Sequence, residues 1–174
     1  SPTLPDPGED DEDWEVYFVA GEVSHIHIVD NEFANLGGSG ISSLVWNLST
    51  RAQFGTMVVR ELIVDRNHIH NCCLVAIATT LEADEIQEIG FGGIALEYVA
   101  GGKVSNNLIE NIGLEVRTPS SGIHFREIVH AHIHDNVIRA IGRVERRENL
   151  NISGIAGGII IDQGRILAAG CVFP

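Results

Sequence analysis

Val104-Ser-Asn-Asn-Leu-Ile-Glu-Asn-Ile-Gly113 and Ile133-His-Asp-Asn-Val-Ile-Arg-Ala-Ile-Gly142 are two copies of one phrase. An aliphatic residue stands three places before an Asn anchor, Ile two and five places after it, and Gly six places after it. Three other segments fit the frame: Asn31-Glu-Phe33-Ala-Asn35-Leu36-Gly37, Asn67-His-Ile69-His-Asn71-Cys72-Cys73 and Asp84-Glu-Ile86-Gln-Glu88-Ile89-Gly90. The residue three before the anchor is Ile28, Val64, Leu81, Val104 or Ile133. Working outward, Gly40-Ile41, Ala76-Ile77 and Gly93-Ile94 follow the first three anchors by nine and ten residues. In the last two copies the pair is delayed to Gly122-Ile123 and Gly158-Ile159, after loop residues Thr118-Pro119-Ser120-Ser121 and Arg143 through Asn151.

The anchors are 36, 17, 23 and 29 residues apart. An α-solenoid needs long Gly-free stretches of 3.6 period, and the chain has none. Short alternating runs rich in Ile and Val, broken by Asn and Gly, predict many short strands. A fixed motif with variable spacing fits a coil whose turns accept insertions. Each turn adds one strand to each of several parallel sheets, and stacking buries what one coil cannot bury alone. Gly at a corner supplies positive φ or removes a clash. Asn tolerates tight turns, and identical Asn side chains can stack amide on amide. Asp84 is expected to interrupt that ladder, because a carboxylate only accepts.

These residues resemble the right-handed parallel β-helix repeat of the pectin-lyase-like superfamily over roughly residues 16–165. The expected fold is all-β: a right-handed parallel β-helix, or solenoid, of about five to six coils with insertions in the turns. It would occupy residues 14–174, after an acidic Pro-rich linker over 1–13. The resemblance is specific for fold and nearly silent on function, because that superfamily holds lyases, hydrolases, epimerases, tailspikes and non-catalytic structural proteins.

Composition narrows the partners. The chain has 174 residues, 44% hydrophobic, with 11 basic against 24 acidic residues and a net charge of -13. That repulsion argues against general nucleic-acid binding, and no apolar run is long enough for a helical membrane span. The three cysteines, Cys72, Cys73 and Cys171, form no CxxC pair and read as buried thiols. The acidic run Glu9 through Asp13 reads as a solvated linker, with calcium capture the alternative. The Pro-rich start and the apolar final residues read as the edges of a fragment from a longer chain. Trp14, Tyr17 and Phe18 read as a cover for the first coil.

Alternation sorts the strands after the Gly-Ile pairs. With Ile94, Ile123 and Ile159 inward, Leu96, Phe125 and Ile161 are inward too. Glu97, Arg126 and Asp162 then form one outer row with His124 beside it, the two carboxylates roughly 9–10 Å apart at two strand spacings. Such a pair suits an inverting glycosidase, and Arg126 could fork an acidic sugar's carboxylate. The resemblance to pectate lyases implies Arg126 as base in β-elimination. A plain exposed ion-pair ladder fits as well, and the superfamily's Asp-rich and Asp-Pro-His signatures are missing from this chain. Histidines two apart on a strand share a face, which makes His130, His132 and His134 a candidate divalent-metal surface. His25 with His27, and His68 with His70, repeat the spacing. Solvated surface imidazoles are the simpler reading of all three groups.

The function expected is a non-catalytic structural or binding module of a larger, extracellular or phage-tail-like protein, contacting polysaccharide or a partner protein. The alternative is a lyase, glycoside hydrolase or epimerase acting on an acidic polysaccharide. Neither requires a cofactor, though calcium or a surface-bound divalent metal remains open, as does assembly into a homo-oligomer.

Overall fold

Branched apolar residues at alternate positions favour extended backbone with one face buried, and strands are what they form. The computed structural model describes residues 19–43, 56–75, 91–114, 120–142 and 157–164. Within them lie eleven strands and no helix. The strands are β1 (Val19–Ser24), β2 (His27–Val29), β3 (Glu32–Ala34), β4 (Ile41–Ser42), β5 (Thr56–Asp65) and β6 (His68–Cys72), followed by β7 (Gly92–Ser105), β8 (Leu108–Ile112), β9 (Ser121–His134), β10 (Val137–Ile141) and β11 (Gly157–Gly164). They make two all-parallel sheets. The larger runs β1-β5-β7-β9-β11, with β2 joined to β5 and β4 to β7; the smaller runs β10-β8-β6-β3. From β1 to β10 the chain therefore feeds one sheet and then the other, an arrangement compatible with a parallel β-solenoid.

The corners are set by backbone conformation. His25, Asp30 and Asn35 have φ of 57–58°, and the same left-handed geometry recurs at Glu61, Arg66 and Asn71, at Gly101, Asn106 and Asn111, and at His130, Asp135 and Ala140. Within each turn these residues stand five apart. Across turns the strand register stacks them into three columns. A left-handed residue costs an L-amino acid roughly 1–2 kcal/mol unless it is Gly, with Asn and Asp least disfavoured. Asn and Asp hold six of the twelve positions. The strain is offset by the inter-coil ladder running on through the corners, where the amides of His25, Asp30 and Asn35 donate to the carbonyls of Arg60, Asp65 and His70.

The core lies between the sheets. Ile69, Ile94, Ile109, Ile112, Ile123 and Phe125 are fully buried there with Leu62, Val64, Val99 and Val104. Beside them runs the anchor column. Asn67 and Asn107 are 2% and 1% exposed. Asn31 donates through its backbone N and its Nδ2 to Asn67 Oδ1, at 3.0 and 3.2 Å. Asn67 does the same to Asn107 at 2.9 and 3.0 Å, and Asn107 to Asn136 at 3.1 and 2.9 Å. The second Nδ2 hydrogen goes to the aliphatic residue three before the neighbouring anchor. Asn67 reaches Ile28 O at 2.8 Å, Asn107 reaches Val64 O at 3.0 Å, and Asn136 reaches Val104 O at 2.8 Å. Hydrogen bonding to that backbone carbonyl fixes where the Asn stands, and burial in the core selects the aliphatic side chain three residues before it.

Two expectations change. The anchor is the stacked residue, while the left-handed turn falls on the residue before it: Asp30, Arg66, Asn106 or Asp135. The ladder also passes straight from Asn67 to Asn107, and β6 pairs directly with β8. The Asp84 segment lies outside the described residues, and no strand stands between its flanking neighbours. Ala76-Ile77 likewise lies outside them, and Ile41 pairs with Ile94. Residues 1–13, the aromatics Trp14, Tyr17 and Phe18, and Cys171 also lie outside.

Candidate functional site

The strands after the Gly-Ile pairs hold the register read from the sequence. Ile94 pairs with Ile123 and Leu96 with Phe125, and Ile159 and Ile161 continue the same two columns. Glu97, Arg126 and Asp162 consequently occupy one level on successive strands, with His124 two residues before Arg126. The environment differs from the expected solvent-facing row. Glu97 is 3% and His124 4% exposed, Arg126 is half-buried, and Ala95 on the same face is fully buried. This face is packed rather than solvated. The Glu97 amide donates to Ser43 Oγ at 3.1 Å from the neighbouring chain segment. Glu127, also buried, joins the group opposite Tyr98. Sequence reasoning passed over it because alternation breaks here: the inward residues step from Leu96 to Val99 and from Phe125 to Ile128, three apart.

His130, His132 and His134 are all exposed. His130 sits in a left-handed corner, which interrupts the two-residue alternation that would align it with the others. His134 Nδ1 bonds to Asp135 Oδ2 at 2.7 Å. These three are not brought together as a ligand set. Among the described residues the set that is brought together is Glu32, His68 and His70, whose ligand atoms all lie within 4.8 Å of one another.

That set belongs to the outer face of the smaller sheet. Phe33, Ile69, Ile109 and Ile138 point to the core, so their neighbours point out. Register makes two outer columns: Glu32, His68, Leu108 and Val137, then Ala34, His70, Glu110 and Arg139. The side chains then link diagonally. His70 Nε2 lies 2.9 Å from Glu32 Oε1, and His68 Nε2 lies 2.8 Å from Glu110 Oε1. Arg139 donates to Glu110 Oε2 at 2.6 Å. The two imidazoles stack with centroids 4.2 Å apart. Hydrogen bonding from His70 holds the Glu32 carboxyl below its ordinary value. His68 first and Arg139 second do the same for Glu110. Glu32 and Arg139 are exposed, while His68, His70 and Glu110 are half-buried, so the network is anchored and still reachable from solvent.

The two described cysteines are structural. Cys72 and Cys73 are buried free thiols, and desolvation pushes Cys73 up to about 11, so neither is a thiolate nucleophile near neutrality. Among the described residues no helix is long and apolar enough to cross a membrane. Compared with protein-family models, with curated proteins and with solved structures, the chain matches none.

Proposed function

We propose that this chain is a non-catalytic binding or structural module: a right-handed parallel β-helix of pectin-lyase-like type, with about five to six coils, in a larger extracellular or tail-like protein. Its outer face contacts polysaccharide or a partner protein. The observation that carries this reading is the contrast in access between two polar groups. Glu97 and His124, two of the four expected catalytic residues, are sealed from solvent at 3% and 4% exposure. The Glu32–His70–His68–Glu110–Arg139 row is ordered by its own hydrogen bonds and open to a ligand. A pre-ordered polar surface on a stiff sheet binds at low conformational cost.

The alignment of Glu97, Arg126 and Asp162 supports the second reading, an enzyme acting on acidic polysaccharide. One experiment separates the two. The chain is screened on a glycan array and incubated with acidic polysaccharides, with ultraviolet absorbance reporting the unsaturated product of β-elimination and reducing ends reporting hydrolysis. Binding without turnover is the expected outcome. Turnover that disappears in Arg126→Ala and Asp162→Ala would replace this reading with the enzymatic one.

A further inference from the structure

We propose that Glu32, His68 and His70 form a binding site for a divalent transition metal of the zinc class, on the outer face of the smaller sheet. The inference is independent of whether the module binds glycan. Two imidazoles and one carboxylate are the donor set that borderline ions prefer, whereas calcium and magnesium favour oxygen alone. His68 and His70 flank fully buried Ile69, so strand geometry and the core together hold both rings on one face. Glu32 arrives from β3, one strand away, opposite His68 in register. One ligand atom from each residue falls within 4.8 Å of the others.

The distances suit replacement of a proton by a metal. His70 Nε2 and Glu32 Oε1 are 2.9 Å apart. Two ligand atoms about 2.0–2.1 Å from a tetrahedral zinc stand roughly 3.3–3.4 Å apart, so the pair needs to open by only a few tenths of an ångström. Glu32 is exposed and free to make that shift. His68 is oriented from behind. A carboxylate accepts only, so the 2.8 Å contact to Glu110 makes His68 Nε2 the donor and leaves the lone pair on Nδ1. A carboxylate that fixes the tautomer of a ligating His is the usual outer partner of a metal site. Glu110 is in turn held by Arg139. We therefore assign Glu110 and Arg139 as positioning residues. The remaining coordination position faces solvent and takes water.

The test uses the whole chain, stripped with chelator and titrated with zinc chloride, with calorimetry for affinity and thermal unfolding for stability. Cobalt serves as a visible probe, because its d–d bands report coordination number and nitrogen ligation. The expected result is one equivalent of zinc bound, a raised unfolding temperature, no response to calcium, and a low-coordinate cobalt spectrum. H68A and H70A lose the one-to-one binding, and E110Q weakens it about 10–100-fold. The double variant H132A/H134A binds as the parent does, and circular dichroism of each variant reports that it folds. No zinc uptake by the parent, unchanged affinity in a folded H70A, or loss in H132A/H134A instead would each overturn the assignment.

Discussion

Asn67 and His68 are consecutive residues on the same turn, and they obey opposite rules. Asn67 belongs to a column that reads Asn31, Asn67, Asn107, Asn136, with the same residue at every level. His68 belongs to one that reads Glu32, His68, Leu108, Val137, with no two alike. The inner side chain must both accept from the coil on one side and donate to the coil on the other, without water to stand in. A carboxamide does both with two hydrogens to give and an oxygen to accept, where a hydroxyl has a single hydrogen. The outer side chain has solvent as a second partner, so its chemistry can vary from coil to coil. Uniformity marks where the fold is held, and variety marks where a function can be placed.

The sharpest way to break this comparison is to exchange chemistry in the inner column. Asn107→Ala removes the acceptor for Asn67 N and Nδ2 and the donor to Val64 O and Asn136. Leaving two or three buried polar groups unsatisfied costs about 3–5 kcal/mol. His68→Gln, one step away on the outside, is expected to change stability by no more than about 0.5 kcal/mol. Urea unfolding followed by circular dichroism measures both. Equal costs would dissolve the distinction between the columns.

An intermediate case tests whether burial, rather than the label inner or outer, sets the effect. Asp65 precedes a corner and is only 6% exposed. Its Oδ1 accepts from Ser105 Oγ at 2.6 Å and from Asn106 Nδ2 at 2.8 Å, and Arg66 pairs with Oδ2. The bond from Ser105, then that from Asn106, holds the carboxyl below its ordinary value of 3.8. A depressed carboxyl contributes stability that is full above the unfolded value and fades as the pH falls through the folded one. The stability difference between the parent and Asp65→Asn should accordingly be constant above pH 3.8 and shrink below it. Unfolding free energies across an acid series check this. A difference that stays constant through the acid range would show that the carboxylate's charge contributes nothing.

The same rule explains what could be read from the chain. The stacked anchors, the buried Ile columns and the register of Glu97 on Arg126 were legible because each rests on a repeated residue type. The Asp84 segment differs from the other four in chemistry. Asp84 cannot donate to a further coil. At Gly93 the Gly of the corner pair is set by space: a Cβ there would stand 2.6 Å from Ile109 Cγ2 and 3.0 Å from Gly122 O. A coil counted at Asp84 would put a layer between His70 and Glu110, whereas β6 pairs directly with β8. With the layer removed, the register pairs His70 with Glu110 and Glu32 with His68. The sealing of Glu97 and His124 had no such signal. Alternation tells which face a residue takes, and it carries no information about what packs over that face.

The smallest effect sharpens the comparison at the corners, where the backbone sets the requirement and the side chain is secondary. The third corner column reads Asn35, Asn71, Asn111, Ala140. Asn71 Nδ2 donates to Asn35 Oδ1 at 3.3 Å, a weak outer echo of the inner ladder. Ala140 is exposed and has φ of 53°, with a Cβ that pays the left-handed penalty and no polar group to offset it. Ala140→Gly removes about 1–2 kcal/mol of strain and adds roughly 0.5–1 kcal/mol of unfolded-state entropy. The net expectation is a stabilisation of about 0.5–1 kcal/mol, read as a small rise in unfolding temperature. Ala140→Asn should recover part of the same gain, because Asn tolerates the conformation. Destabilisation by Gly would mean that the Cβ of Ala140 packs against something of value, and that this corner belongs with the inner column after all.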